Sequence, residues 1–175
     1  IAQSLGIEKI IKLSKDLGIY DNPEKLLSVS LGSVETTLLR LTAAYSTFIN
    51  KGKLVEPIII DRVQDSEGNT IVNNEKRSCI NCDQISFTGN LYPKINDKYK
   101  QIFSSQTAYQ VTSLLEGVIQ RGTGKKLKDL NLKLAGKTGT TNKNTDAWFI
   151  GFTSNLVIGV YVGFDNPRTL GKFET

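Results

Sequence analysis

The segment 135–141, AGKTGTT, places one lysine among glycines and threonines. Two kinds of site use these residue types. A phosphate-binding loop needs glycines whose bare amides curl around the anion, followed by Lys and Ser or Thr at the start of a helix. An acyl-transfer site instead uses a cation, a hydroxyl and a glycine on a strand edge, where the substrate backbone comes close.

The phosphate-loop pattern fails in two places. The motif G-x-x-x-x-G-K-[ST] requires a glycine five positions before Gly136, and Asn131 stands there. The residues that follow Lys137, TTNKNTDAWF, predict a polar loop running into a strand and not a helix. The sequence therefore favours an acyl-transfer site over a nucleotide site.

Three strands are predicted around this segment. LKLAGKTG alternates apolar and polar residues from Leu132, which indicates a strand whose end presents Lys137 to Gly139. DAWFIGFTS and LVIGVYVGFD are rich in β-branched and aromatic residues, and a tight turn at Ser154-Asn155 separates them. Trp148 and Phe149 are expected to pack on this sheet.

Apolar residues at helical spacing predict three helices in the remainder of the chain. The first spans about 7–17 and stops at Gly18, the second is capped by Ser33 and ends before Gly52, and the third runs from Ser104 or Ser105 to Gly122.

Residues 58–72 predict a hairpin that turns at Gly68-Asn69, and residues 73–104 are polar and irregular, with Pro93 among them. Cys79 and Cys82 form a single CxxC in that irregular stretch. A zinc site would need a second pair or histidines, and the sequence has neither. A local disulfide in an oxidising compartment is favoured over two free thiols, and redox catalysis by the pair is the least favoured alternative.

Composition limits the function classes. The chain has 175 residues, 39% of them hydrophobic, which suits one folded domain. Its 22 basic and 17 acidic residues are interleaved, so the net charge of +5 does not indicate nucleic-acid binding. The absence of histidine excludes a Ser-His-Asp triad and His-based zinc sites, and we expect no metal or cofactor. The absence of methionine indicates a piece of a longer protein.

The chain resembles the transpeptidase domain of bifunctional class A penicillin-binding proteins of the 1A type. The similarity is carried by SLGSVETTLLRLTAAYSTFINKGKLVEPIIIDRVQDSEGNTI, by SSQTAYQVTSLLEGVIQRGTG and above all by AGKTGTTNKNTDAWFIGFTSNLVIGVYVGFDNP. It implies an α/β (α+β) fold related to serine β-lactamases, with an antiparallel sheet and flanking helices. Residues 1–175 would be the carboxyl-terminal part of that domain, interrupted by a hairpin and loop excursion over about 53–104.

Such domains use three motifs, S-x-x-K, S-x-N and K-T-G. The chain holds only the third, because none of its serines has Lys three positions later or Asn two positions later. Tyr20-Asp21-Asn22 resembles a Y-x-N variant of the second motif, and we interpret it as chance. The resemblance therefore implies that the nucleophilic serine lies outside this chain and that the fragment alone is inactive.

The resemblance also assigns roles in the site. Lys137 supplies charge beside the serine, Thr138 and Thr140 bind the substrate carboxylate, the Thr140 amide helps to bind the oxyanion, and Gly139 keeps the strand edge open. Thr141 is a weaker candidate, and strand alternation would point it away. Without the resemblance, Lys137 reads as a solvated lysine and the threonines as ordinary strand formers.

The implied partners are peptidoglycan stem peptides and β-lactams, with no nucleic acid. The implied location is the periplasmic side of the bacterial inner membrane, reached only through an amino-terminal anchor absent from this chain; there Cys79 and Cys82 would be oxidised. Cutting the domain is also expected to expose apolar surface that promotes self-association. A serine β-lactamase-like hydrolase and a non-catalytic interaction module remain as alternatives.

Overall fold

The computed structural model describes residues 1–75, 77–80, 82 and 94–171. Two compact units divide the chain. The first joins Ile1–Val55 to the segment that starts at Gln101, and the second is Glu56–Lys100. The second unit overlaps the excursion predicted over about 53–104, and the assignment of the domain itself stays a prediction.

The described residues of the first unit form four α-helices. They are α1 (Ala2–Leu5), α2 (Ile7–Asp16), α3 (Leu38–Ile49) and α4 (Ser105–Arg121). The three predicted helices are confirmed as α2, α3 and α4. In the described part of the chain, no helix has the length and the apolar run needed to cross a membrane.

The caps of the two long helices show where sequence patterns work and where they fail. The predicted start of α4 at Ser104 or Ser105 is confirmed, and Ser104 caps the helix, since its hydroxyl accepts a hydrogen bond from the Thr107 amide at 3.1 Å. The predicted cap of α3 at Ser33 is wrong. Thr37 caps that helix instead, by accepting from the Arg40 amide at 3.2 Å. The preceding Thr36 donates to the Ile19 carbonyl at 2.8 Å, which holds the segment before α3 away from a helical course.

The strands of the first unit form one antiparallel sheet, β5 (Ala135–Thr140), β6 (Asp146–Phe152) and β7 (Val157–Gly163), in the order β5-β6-β7. The predicted hairpin of β6 and β7 is confirmed. The predicted start of β5 at Leu132 is wrong, because a 3₁₀ helix precedes the strand and Asn131 takes a left-handed conformation (φ 51°). The strand ends at Thr140, one residue beyond the predicted end at Gly139.

Helices α3 and α4 cover one face of this sheet. Ile150 and Phe152 of β6 are 2% and 3% exposed, and Ile119 of α4 is fully buried. Phe48 of α3 stacks on Phe152 with ring centroids 6.4 Å apart. The aromatic side chains of α3 therefore belong to the hydrophobic core and help to position β6.

The opposite face of the sheet carries exposed apolar side chains. Residues next to each other along a strand face opposite sides, so Ile158 and Val160 point away from α3, which contacts the intervening Gly159. Ile158, Val160 and Val162 are 50%, 44% and 51% exposed. This surface supports the expected self-association, which stays a prediction.

The described residues of the second unit form two antiparallel strand pairs, β1 (Arg62–Gln64) with β2 (Thr70–Asn73) and β3 (Ser78–Ile80) with β4 (Lys94–Asn96). The first confirms the predicted hairpin. Its turn is held by Asp65, whose carboxylate accepts from the Asn69 side-chain amide at 2.9 Å and from the Asn69 backbone amide at 2.8 Å. These bonds hold the pKa of Asp65 below its ordinary value.

The pairing of β3 with β4 corrects the prediction of a polar and irregular stretch over 73–104. Cys79 lies on β3 and Cys82 in the turn that follows, and the structure joins them as a disulfide with Cα atoms 5.7 Å apart. Pro93 lies outside the described residues. The oxidation state of the two cysteines in the native protein stays a prediction.

The close approach of α3 to the sheet predicts the effect of Gly159→Ala. A Cβ built on Gly159 overlaps Thr42 Oγ1 and comes within 3.0 Å of Leu38 Cδ1 and 3.2 Å of Ile150 Cδ1. We expect the free energy of unfolding to fall by about 1 to 3 kcal/mol, as for other overpacked cores. Chemical denaturation followed by circular dichroism measures it.

Gly117→Ala is the matched control, since it adds the same methyl group on α4. There the Cβ meets only the flexible Arg121 side chain, at 3.1 Å from Nη2. The free energy of unfolding should stay the same or rise by up to about 1 kcal/mol, because alanine favours a helix over glycine. Equal losses for the two variants would contradict the proposed packing role of Gly159.

Candidate active site on strand β5

Strand β5 carries the four predicted site residues, Lys137 to Thr140, in succession. They pair in register with β6, from Lys137 opposite Ile150 to Thr140 opposite Ala147. Because side chains alternate along a strand, Thr138 and Thr140 share one face while Lys137 and Gly139 share the other. Within the described residues β5 has β6 as its single neighbouring strand, so its second edge is open.

The backbone of Thr140 faces that open edge. The Thr141 amide donates to the Asp146 carbonyl at 3.3 Å, which makes Thr141 and Asp146 a hydrogen-bonded pair of the antiparallel ladder. Such pairs alternate with pairs that exchange no hydrogen bond. Thr138 and Thr140 fall on the second kind of position, so their amides and carbonyls point away from β6 and are available to a ligand.

Lys137 is exposed and its ammonium already has a partner on this edge. Nζ donates to the Thr138 carbonyl oxygen at 2.7 Å. The lysine side chain therefore bends back over the strand from the α3 face toward the open edge. This position brings its charge beside the backbone groups that face a ligand.

Thr138 has a hydrogen-bond partner that the sequence did not predict. Its hydroxyl oxygen lies 2.7 Å from that of Thr123, in the turn after α4. The sequence signal was a threonine between two glycines, Gly122-Thr123-Gly124, in the segment RGTG. A glycine after a helix normally indicates only that the helix stops. The segment therefore did not predict that the threonine between the glycines contacts β5.

Thr141 acts in the turn that joins β5 to β6. Its hydroxyl accepts from the Asp146 amide at 3.1 Å and lies 2.8 Å from the Thr145 hydroxyl. Strand β5 ends at Thr140, so Thr141 lies one residue beyond it, although its backbone still pairs with Asp146. Its hydrogen bonds nonetheless assign the hydroxyl to closing the turn.

The two aromatic residues after the turn pack on the sheet, as predicted. Trp148 contacts Tyr161 edge to face, with ring centroids 4.8 Å apart. Phe149 lies over Gly136 and Gly151, where a Cβ would come within 2.9 Å of its ring on Gly136 and 2.5 Å on Gly151. Packing of Phe149 therefore depends on both glycines.

A cavity of about 780 Å³ adjoins the end of β5. Its wall includes Thr140, Asp146 and Trp148, together with Tyr20 and Leu38 from the helical side. Burial raises the pKa of the Tyr20 hydroxyl. Among the described residues, Asp146 Oδ1 is a buried oxygen with no hydrogen-bond partner. The cavity thus combines apolar walls with a few polar groups, which is common in ligand sites.

The geometry bears on two alternative sites. After Lys137-Thr138 the chain continues as a strand through Thr140, so the pair does not open a helix as a phosphate loop requires. In Tyr20-Asp21-Asn22, Asp21 pairs with Arg40 at 2.8 Å and Asn22 accepts from Lys15 at 2.9 Å. Tyr20 lines the cavity beside Thr140, whereas Asp21 and Asn22 are held in surface contacts. The interpretation of the triplet as chance stays a prediction. Among the described residues no cluster of three or more His, Cys, Asp or Glu could hold a metal ion.

Comparison with known proteins agrees with this geometry. A family model described as the penicillin binding protein transpeptidase domain matches residues 5–174. Penicillin-binding protein 1A of Rickettsia bellii is 41% identical over 177 residues, which covers 100% of this chain and 22% of that protein. The protein of the same name from Pseudomonas aeruginosa is 32% identical over 206 residues, covering 99% of this chain and 25% of that protein. The chain thus spans about a quarter of the length of these relatives.

Solved structures place the fold in the same group. The crystal structure of penicillin-binding protein 1A from Haemophilus influenzae superposes with a TM-score of 0.76 at 32% identity, covering 99% of this chain and 29% of that one. The D,D-transpeptidase domain of a peptidoglycan glycosyltransferase from Eggerthella lenta has a TM-score of 0.60 at 20% identity, which bears on the fold alone. With its KTG strand inside an antiparallel sheet flanked by helices, this chain belongs to the penicillin-binding protein transpeptidase domain family.

Proposed function

We propose that this chain is the carboxyl-terminal part of a D,D-transpeptidase domain that cross-links peptidoglycan. The observation that carries the proposal is the family match over residues 5–174, and we place the site on the KTG strand within that range. The parent protein would be a bifunctional penicillin-binding protein of the 1A type, with a separate glycosyltransferase domain. Its amino-terminal anchor would hold it on the periplasmic side of the inner membrane.

The proposed reaction is an acyl transfer in two steps. A serine from an S-x-x-K motif outside this chain attacks the penultimate D-Ala carbonyl of a stem peptide, and the terminal D-Ala leaves. An amine of a neighbouring stem then attacks the acyl-enzyme and releases the serine. A β-lactam mimics the D-Ala-D-Ala end and leaves the serine acylated.

The geometry of β5 supports a role for Thr140 in both steps. Each step forms a tetrahedral intermediate whose oxyanion needs preorganised donors. The Thr140 amide points to the open edge, so it can supply one donor beside the amide of the serine. Its hydroxyl shares a face with that of Thr138, and the two can hold the terminal carboxylate of the substrate.

Lys137 is proposed to act through its charge. Its Nζ donates to the Thr138 carbonyl at 2.7 Å, on the edge where the serine of the intact domain would approach. From this edge the ammonium can donate to a serine hydroxyl and stabilise the anionic substrate. Gly139 between the threonines leaves space for the substrate backbone.

Two other functions compete with this proposal. A serine β-lactamase-like hydrolase shares the KTG element and differs in the fate of the acyl-enzyme, and a fragment without a nucleophile could serve only as a binding module. The relatives named penicillin-binding protein 1A, at 41% and 32% identity, favour the transpeptidase. The upstream sequence discriminates further, since a glycosyltransferase domain would establish the bifunctional synthase.

The isolated chain should form no covalent adduct with penicillin, because the serine that attacks the β-lactam lies outside it. Mass spectrometry of the intact chain after incubation with benzylpenicillin tests this, with the full-length parent protein as the positive control. A stoichiometric mass increase in the isolated chain would show that it contains the nucleophile.

In the full-length enzyme, Thr140→Val deletes one hydroxyl and keeps the side-chain shape. Acylation by penicillin should slow by about tenfold to a hundredfold, as for loss of a hydrogen bond to a charged group. Lys137→Ala should cost more, about a hundredfold or above, because the group assists proton transfer. Stopped-flow acylation kinetics measure both.

Thr141→Val is the comparison variant for these two. Its hydroxyl closes the turn to Asp146, so the expected change is lower thermal stability by about 1 kcal/mol with acylation slowed less than about threefold. If Thr141→Val slows acylation as much as Thr140→Val does, the assignment of Thr140 to the site is wrong.

Cys79 and Cys82 are proposed to be oxidised in the native protein, because the proposed location favours disulfides. Protein isolated from the periplasm without reductant should resist alkylation at both cysteines until dithiothreitol is added. Complete alkylation before reduction would count against the pairing. Reduced protein from cytosolic expression would not bear on it.

A further inference from the structure

The turn after α4 holds a threonine hydroxyl against the KTG strand. Thr123 Oγ1 lies 2.7 Å from Thr138 Oγ1, and either atom can be the donor. The two residues are fifteen positions apart in the chain. The contact therefore joins the end of α4 to the middle of β5.

The two glycines that flank Thr123 leave the turn little freedom. A Cβ on Gly122 would come within 2.9 Å of the Val118 Cα and carbonyl oxygen, and one on Gly124 within 2.7 Å of Ile119 Cδ1. The amides of both glycines donate to the same Val118 carbonyl, each at 3.1 Å. The turn is thus folded tightly onto the end of α4.

Helix α4 in turn has a fixed position relative to β5. Ile119, next to the turn, is fully buried, and Ala135 at the start of β5 is 3% exposed. A side chain held on such a turn keeps its distance to the strand. Thr123 itself is exposed, so its bond to Thr138 is set by this backbone and not by surrounding side chains.

We propose that Thr123 is a positioning residue that sets the direction in which the Thr138 hydroxyl donates its proton. The inference rests on the proposed function, in which Thr138 binds the terminal carboxylate of the substrate. A carboxylate only accepts hydrogen bonds, and a threonine hydroxyl has one proton to donate. Thr138 can bind the carboxylate only if its proton points there.

Two directions are possible for this hydrogen bond, and the proposal takes Thr123 as its donor. When Thr123 donates to Thr138, the proton of Thr138 is left for the carboxylate, and the two hydroxyls form a chain that ends on the anion. Successive hydrogen bonds in such a chain polarise one another and strengthen the bond to the charge. The opposite direction would present a lone pair of Thr138 to the carboxylate and repel it.

The test compares ligands with and without the negative charge, in the full-length parent enzyme. Benzylpenicillin carries the carboxylate and benzylpenicillin methyl ester does not. Thr123→Val should slow acylation by benzylpenicillin about threefold to tenfold, the size of one lost hydrogen bond, and acylation by the ester less than about twofold. Thr123→Ser, which keeps the hydroxyl, should restore the rate with benzylpenicillin.

A general structural role for Thr123 predicts a different result, an equal loss with both ligands. That outcome, or no loss with benzylpenicillin, would overturn the inference. Thr112→Val is the matched control, because it makes the same replacement on α4 at a position that lines a separate cavity with Phe48 and Tyr109. It should change both rates less than about twofold, since no hydrogen bond to the site is lost.

Thr138→Val separates failure of this inference from failure of the proposed function. If Thr138→Val leaves the preference for benzylpenicillin over its ester unchanged, the carboxylate role of Thr138 fails and the inference fails with it. If Thr138→Val abolishes the preference while Thr123→Val leaves it intact, only the inference fails. The double variant should show the same preference as Thr138→Val alone, because the two hydroxyls act as one chain.

Discussion

Helix α3 approaches the three-stranded sheet so closely that position 159 has room for a hydrogen atom and none for a methyl group. This contact seats Ile150 against the helix, and the antiparallel register carries the constraint from Ile150 to Lys137 on the next strand. The site residues therefore owe part of their position to packing on β7, beyond β6, and part to the packing of α4 on β5. Helix α3 and the buried strand β6 thus help to hold β5 in place, although β5 is itself largely exposed.

The open edge of β5 can bind a ligand, but it can also pair with a strand of another chain. Unpaired amides and carbonyls attract other strands, and proteins often protect such edges with charged side chains. Lys137 meets this need, because its ammonium already occupies the Thr138 carbonyl. A charged side chain at this position discourages a second chain from pairing and still leaves the Thr140 amide accessible. The same lysine thus fits both the proposed chemistry and the protection of the edge.

The sequence predicted the elements with strong local signals. Ser104 and Gly122 bracket α4, and Ser154-Asn155 separates β6 from β7, because caps and tight turns depend on neighbours in the chain. Ser33 failed as a cap because the choice between it and Thr37 was made by a long-range bond, from Thr36 to Ile19. The start of β5 was misplaced because Leu132 continued an alternating pattern although its side chain is 59% exposed.

The site could be predicted only in part, because only some of its residues are neighbours in the sequence. The KTG residues form a continuous motif, whereas Thr123 joins them only through the packing of α4 on β5. Strands β3 and β4 likewise pair across a long intervening segment and left no local signal.

The alternation of backbone groups along β5 gives this strand an internal reference for solution measurements. The amides of Lys137 and Gly139 bond to β6 and exchange their hydrogens only when the sheet opens, whereas those of Thr138 and Thr140 meet solvent directly. Four consecutive residues thus alternate between slow and fast exchange. A ligand on the open edge slows hydrogen exchange at the Thr138 and Thr140 amides and leaves exchange at Lys137 and Gly139 unchanged. Exchange rates along one strand thus report separately on occupancy of the site and on stability of the sheet.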